Sequence, residues 1–311
     1  MPSRLRLLLA VAAASCAAAA SGCGFGSGEA PGGTQLRVTT DFGARPLVDS
    51  DAPETGGSDT VMRLLQRNVK DVKTRFGGGF VQEIDGVAGG QSDGRQADWF
   101  FYVNGIQSDK GATSVRVHEG DRIWWDHHQW GDARDTPAVV GQFPAPFTRA
   151  EDGRRLPVRV ECVQVESPAC DRVHETLVGL EIPAAKGGVA KSFVQETLRV
   201  LVGPWPALRE EDTAELLERG PQESGVFARP SEDGKSIALL DADGKEVRSI
   251  GPGSGLIAAT RRQDAAPVWV VTGTDAAGIE AAAGALQEGA LRGRFAVVLE
   301  RGRVVGVPVR R

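Results

Sequence analysis

The sequence predicts an α+β domain near the N-terminus, one helix laid on a small mixed sheet, followed by an α/β domain built of βαβ units. Three observations predict it. Residues 99–130 (WFFYVNGIQSDKGATSVRVHEGDRIWWDHHQW) hold four of the six Trp and the single Tyr, in short strand-like runs separated by turn signals. One amphipathic helix precedes that stretch. Beyond residue 156, apolar runs of strand length alternate with helical patterns, as in βαβ units. At 311 residues, 41% hydrophobic and 25% charged, the chain has room for both domains and an ordinary globular composition.

In order, residues 35–40 (QLRVTT) alternate apolar and polar side chains and predict a strand. Residues 42–59 read as loop, with Pro46, Pro53 and Gly56-Gly57. Ser58 or Asp59 is placed to cap a helix over 60–69, where Val61, Leu64, Leu65 and Val69 fall on one face. Residues 76–84 predict a strand interrupted by Gly77-Gly78-Gly79, and Asp85-Gly86 ends it. Strands follow over 99–103, 113–118 and 122–126, with turns at Asn104-Gly105 and Glu119-Gly120-Asp121. Trp99, Phe101 and Val103 share one strand face, Phe100 and Tyr102 the other. One set is core; the other is a second packing layer or a contact surface, with the Tyr hydroxyl as its polar handle. Trp124 and Trp125 point to opposite faces, so Tyr102, Trp124 and Trp125 are the candidate ligand-binding residues. One helix across such a sheet is a β-grasp-like arrangement.

Five motifs follow one another at characteristic intervals: TVMRLL at 60–65, IDG at 84–86, WFFYVNG at 99–105, Gly111-Ala112, and EGDRIWW at 119–125. Together they resemble the domain family typified by the C-terminal β-domain of transcobalamin and intrinsic factor, over residues 34–131. Many bacterial surface lipoproteins carry a similar domain. In the animal proteins that domain works with a helical α/α-barrel partner to enclose cobalamin. The resemblance therefore implies cobalamin or another corrinoid as a candidate ligand, although no such barrel is visible in this sequence.

Residues 132–155, with Pro137, Pro144 and Pro146 around an apolar VVGQFPAPF, read as a linker that partly packs down. Residues 156–311 read as the α/β domain. A strand over 158–165 leads through Ser167-Pro168 into a helix over 169–180. Strands at 197–202 and 225–228 flank a helix at 211–219, and a hairpin turns about Asp243-Gly244. A strand at 268–272, an Ala-rich helix at 276–287 and a hairpin about Arg301-Gly302 complete the chain. The stretches beginning at 198 and 268 share one layout, as duplicated units would. Residues 250–258 (IGPGSGLIA) read as loop, because their glycine spacing misses the dinucleotide fingerprint.

The first 22 residues read as a leader to be removed. Arg4 and Arg6 precede an apolar run, and Ala20-Ser21-Gly22-Cys23 resembles a bacterial lipobox. Cleavage after Gly22 and lipid attachment to Cys23 would place the protein outside the cytoplasm, in the cell envelope, on a Gly/Ser/Pro tether over 23–33. A plain signal peptide or signal anchor is the simpler alternative. Loss of residues 1–22 removes two Arg and no acid, which moves the net charge from −5 to −7. An acidic chain without a basic run argues against nucleic acid or anionic lipid as a partner. Cys162 and Cys170 then remain, eight positions apart, and an oxidising compartment predicts a disulfide between them. A metal pair has no nearby ligands to complete it, and a reactive dithiol lacks the CxxC spacing.

Catalytic signals are sparse. Asp126-His127-His128 is the only His pair, and neighbours on a strand face opposite ways and cannot chelate one ion together. No phosphate loop, nucleophile elbow or H-E-x-x-H motif occurs. The chain is therefore not read as an enzyme, and no cofactor or metal is assigned. Three readings follow: a binding lipoprotein for a small molecule or partner protein, a surface interaction or scaffold lipoprotein, and a catalyst seated in the C-terminal domain.

Overall fold

The first sheet joins two strands from residues 35–50 to those of the aromatic region. Its strands are β1 (Gln35–Thr40), β2 (Arg45–Ser50), β6 (Gly90–Ser92), β7 (Arg95–Val103), β8 (Ile106–Gln107) and β9 (Arg122–Gln129). Their order is β2-β1-β9-β7-β6, with β8 paired to β7, and only β1 and β9 run parallel. A second, three-stranded sheet joins β3 (Val72–Arg75), β4 (Phe80–Ile84) and β5 (Val87–Ala88). The computed structural model describes residues 32–92, 94–130, 135–150, 152–190 and 195–310. The leader and Cys23 lie outside these residues.

Helix α1 (Val61–Asn68) covers one face of the first sheet. Thr60 caps it, its Oγ1 accepting from Arg63 N at 3.3 Å, where Ser58 or Asp59 was expected. Asp59 instead accepts from Gly56 N and from Arg67 at two points, which fixes the turn before the helix. Val61, Leu64 and Leu65 meet Leu36, Val38, Trp99, Phe101, Ile123 and Trp125 in a continuous apolar core. Period-two alternation sends those sheet residues to the helix side.

Three expectations for this region need correction. Residues 45–50 form β2, an edge strand whose side chains are mostly exposed, so no burial pattern marks it and Pro46 is tolerated. Residues 113–118 form no strand: a turn leads to a single bridge between Arg116 and Thr60. Their backbone serves α1 instead, with Val115 O accepting from Val61 N and Ala112 O from Met62 N. The alternation of Val115 and Val117 reflects packing against the helix start. Residues 76–84 divide, because Phe76, Gly77 and Gly78 take positive φ and turn the chain from β3 into β4.

The larger sheet has order β11-β10-β12-β17-β16-β18-β19. Its strands are β10 (Val158–Cys162), β11 (Ala184–Gly188), β12 (Leu198–Val202), β16 (Gly255–Thr260), β17 (Val268–Gly273), β18 (Ala296–Glu300) and β19 (Arg303–Val307). The first four in that order are parallel and the rest antiparallel. Helices α2 (Pro168–Gly179) and α5 (Ala276–Gly284) cover one face. Short helices α3 (Trp205–Leu208), α4 (Pro221–Ser224) and α6 (Glu288–Leu291) join the flanking turns. Strands β13 (Ala228–Pro230), β14 (Ile237–Leu240) and β15 (Glu246–Ile250) make a fourth sheet over the opposite face. The whole is a mixed α/β fold with several sheets and few helices. Among the described residues, no helix is long and apolar enough to cross a membrane.

Residues 250–258 correct a second loop assignment, since Gly255–Thr260 is a fully buried strand. Its glycine serves close packing: a Cβ on Gly255 would lie 2.4 Å from Gly278 O of α5. The stretches from 198 and 268 are not repeats. The first leaves the large sheet for β13, whereas the second stays in it through β18. Residues 211–219 form a 3-10 turn over Ala214–Arg219. The connection between the sheets is core, with Val140, Phe143 and Phe147 buried against the large sheet and Val139 against the first.

Candidate functional site

Tyr102, Trp124 and Trp125 are 0%, 0% and 2% exposed. Trp125 lies on the helix side, its ring 4.9 Å from that of Phe101. Tyr102 and Trp124 occupy the other face, which packs against the large sheet. Phe295, just before β18, meets both rings edge-on at 5.6 and 5.1 Å, and Val139 joins them. Phe42 and Phe100 sandwich the His128 ring at 4.4 and 4.5 Å. His127 points the opposite way, with Nε2 3.1 Å from Ala88 O.

A buried carboxylate ties this seam together. Asp126 accepts from Phe42 N at 3.0 Å, Gly43 N at 2.8 Å and the Thr39 hydroxyl, and His128 Nδ1 lies 2.8 Å away. Trp124 Nε1 donates in turn to Thr39 Oγ1 at 2.7 Å. Asp41 and Phe42 take positive φ (56° and 58°), and the carboxylate holds that loop in place. Burial pushes the Tyr102 hydroxyl well above its ordinary pKa, and the nearby Asp126 charge adds to the effect. The arrangement is closed, and the Tyr102 hydroxyl has no hydrogen-bond partner among the described residues. A cavity of about 20 Å³ beside Trp124, Arg37 and Gly141 has room for a single water.

Open space lies at the rim of the seam. One cleft of about 340 Å³ is lined by Asp109, Lys110, Asp152, Arg154, Glu196 and Arg261, among others. A second, of about 320 Å³, adds Asp135 and Glu223 and shares Asp109, Arg261 and Asp264 with the first. The two make one polar trough. Arg154 is engaged by Asp152 and, at 3.9 Å, by Glu196. Arg261 donates from Nη2 to Gln107 O at 3.1 Å. Its Nε is buried with no hydrogen-bond partner, and no carboxylate of the described residues lies within 4.0 Å of its guanidinium. Nothing in the sequence marks it, because its neighbours in the trough come from five separate segments besides its own. Among the described residues, no group of three His, Cys, Asp or Glu is placed to hold a metal.

Cys162 and Cys170 form a disulfide that joins the end of β10 to the first turn of α2, with Cα atoms 6.0 Å apart. Ser167 caps that helix through Cys170 N, so cap and bond fix the same turn. Replacing either cysteine by Ser should cost about 2–3 kcal/mol, the chain-entropy value for so short a loop. Urea unfolding with and without reductant measures it, and coincident midpoints would show that the bond adds nothing.

A search of curated proteins finds no match to the chain. Residues 58–129, which span α1, the second sheet and the two aromatic strands, match the family described as a domain of unknown function (DUF4430). The chain therefore carries a DUF4430 domain at residues 58–129, and that family is transcobalamin-like.

Proposed function

We propose that the chain is an extracytoplasmic binding protein, anchored to the cell envelope through a lipid on Cys23, whose small polar ligand meets the trough at the seam. The observation that carries this is Arg261. It is a guanidinium shared by two adjoining clefts of 340 and 320 Å³, with a buried nitrogen that nothing else engages. Such volumes suit small ligands. Arg261 would take an anionic group, and Asp109 and Asp264 beside it a cationic one. Burial of Tyr102, Trp124 and Trp125 argues against their direct use. The domain reading stays that of the sequence: 34–131 β-grasp-like, supported by α1 on the first sheet, and 156–311 of βαβ units, supported by the parallel strands around α2.

Cobalamin, which the transcobalamin-like domain suggests, is too large for either cleft alone and would have to lie across the whole trough, and it is the first ligand to test. Titration of the full chain, followed in the visible range and by calorimetry, should show saturable binding that Arg261→Ala weakens. An unchanged spectrum and no heat at micromolar ligand would remove the corrinoid. Location is tested separately. Cys23→Ser should move the protein from the membrane fraction to the soluble one, and unchanged partitioning would count against the anchor. The scaffold reading draws on a different observation, the exposed aromatic pair Phe76 and Phe80 at the tip of the β3–β4 hairpin.

A further inference from the structure

The small cavity beside Trp124 lies among arginines. Arg37 of β1, Arg122 at the start of β9 and Arg292 after α6 all line it, and Asp49 is the one carboxylate in its wall. It shares no residue with the trough around Arg261. The first sheet, the connecting segment at Gly141-Gln142 and the large-sheet half each supply part of the wall. Whatever occupies it therefore touches both halves of the molecule.

Positive charge is in surplus there. Asp49 is divided between two guanidiniums, its Oδ2 accepting from Arg37 Nη2 at 3.0 Å and its Oδ1 from Arg292 Nη2 at 2.8 Å. Glu288 answers Arg122 at 2.7 Å and Asp51 answers Arg292 at 2.6 Å, but both lie toward solvent, 41% and 62% exposed, where water and salt screen them. Arg294, whose charge reaches Arg37, donates to Ala290 O and has no carboxylate within 4.0 Å among the described residues. Four guanidiniums thus meet three carboxylates. Arg37 carries the imbalance, because its Nε and Nη1 are buried without an acceptor among the described residues. Burial pushes its pKa below the ordinary arginine value, and the charges of Arg292 and Arg294 act the same way against the pull of Asp49. An unmatched interior cation is stabilised by an anion held against it. Size selects the anion. The cavity measures about 20 Å³, room for one water-sized particle, which a halide is and the polyatomic sulfate and phosphate are not.

We infer that this cavity is a site for a single monovalent anion of halide size, chloride in practice, bound between the two sheets and favouring their docking. Chlorine NMR reads the binding directly. The resonance of free chloride should broaden on adding the full chain, and excess bromide should reverse the broadening. Urea unfolding is then followed at constant sodium and ionic strength while chloride replaces gluconate, an anion too large to enter. Above the dissociation constant, each tenfold rise in chloride should raise the folding constant about tenfold, as one ion bound only by the folded chain requires. Two variants carry opposite signs. Arg37→Met keeps an apolar stem without the charge and should weaken chloride by about tenfold or more. Asp49→Asn removes the competing carboxylate and should tighten it by about the same factor. A purely structural role for these side chains would lower the stability of both variants without changing their response to chloride. No broadening by the wild-type chain, or the same chloride response in wild type and both variants, would overturn the inference and leave the cavity to water.

Discussion

Arg199→Ala should lower the stability of the large sheet by about 3–5 kcal/mol, the cost of removing one partner from a buried charged network. Arg199 is the second residue of β12 and is 1% exposed. Its Nη2 donates to Glu161 at 2.6 Å and to Ala190 O at 2.8 Å, and its Nη1 donates to Glu211 at 2.6 Å. Burial works against its charge, but Glu161 and Glu211 outweigh that and raise its pKa. The two carboxylates also bind backbone: Glu161 accepts from Ala190 N, and Glu211 accepts from Thr213 N and Ala214 N. The alanine variant leaves both carboxylates buried, Glu211 without a cation and Glu161 with only the half-exposed Arg159, whose Nε lies 3.1 Å from it. Adding Glu161→Gln and Glu211→Gln to Arg199→Met should recover much of the loss, because amides keep accepting from those N–H groups without repelling. Urea melts are the measurement, since guanidinium would screen the very charges at issue. A loss below about 1 kcal/mol, the range of exposed pairs, would mean that water reaches the network.

The two faces of the aromatic strands were legible because strand periodicity is local. Trp99, Phe101 and Val103 were assigned together from alternation, and they do share the helix side. What covers the other face was not legible. Phe42, Val139 and Phe295 lie in segments read as loop, linker and the start of a hairpin, and up to 193 residues separate Phe295 from Tyr102. The same limit hid Arg261, whose surroundings assemble only when both sheets meet. By contrast, the Asn104-Gly105 turn was visible, and both residues take positive φ (55° and 83°). Its wiring was not: Asn104 Nδ2 donates to Asp121 at 2.8 Å and to Ala150 O at 3.0 Å, which links the turn to the connecting segment. Phe76 had a sequence signal that the strand reading passed over. Two Phe flanking three Gly put rings on a turn that has no side chains of its own to cover them.

Trp124→Ala and Trp125→Ala should each cost about 3–5 kcal/mol, yet act on different halves of the molecule. Trp125 fills the core beneath α1, so its loss should release the helix from the first sheet. Trp124 sits at the seam, against Tyr102 and Phe295, and donates to the Thr39 hydroxyl that binds Asp126. Removing it opens a cavity between the sheets and frees the Asp41–Gly43 turn from one of its anchors. Pairing each substitution with Phe295→Ala separates the two roles. Trp124 and Phe295 touch, so their joint cost should depart from additivity by about 0.5–3 kcal/mol, whereas Trp125 and Phe295 should add within about 0.5 kcal/mol. Hydrogen exchange gives the spatial readout: Trp124→Ala should speed exchange in β9 and β18, Trp125→Ala in α1 and β9. The same variants bear on ligand binding. With their rings interior, any affinity lost by Tyr102, Trp124 or Trp125 substitutions should track lost stability. An affinity loss in a variant whose urea midpoint is unchanged would return these residues to the binding surface and displace the trough around Arg261.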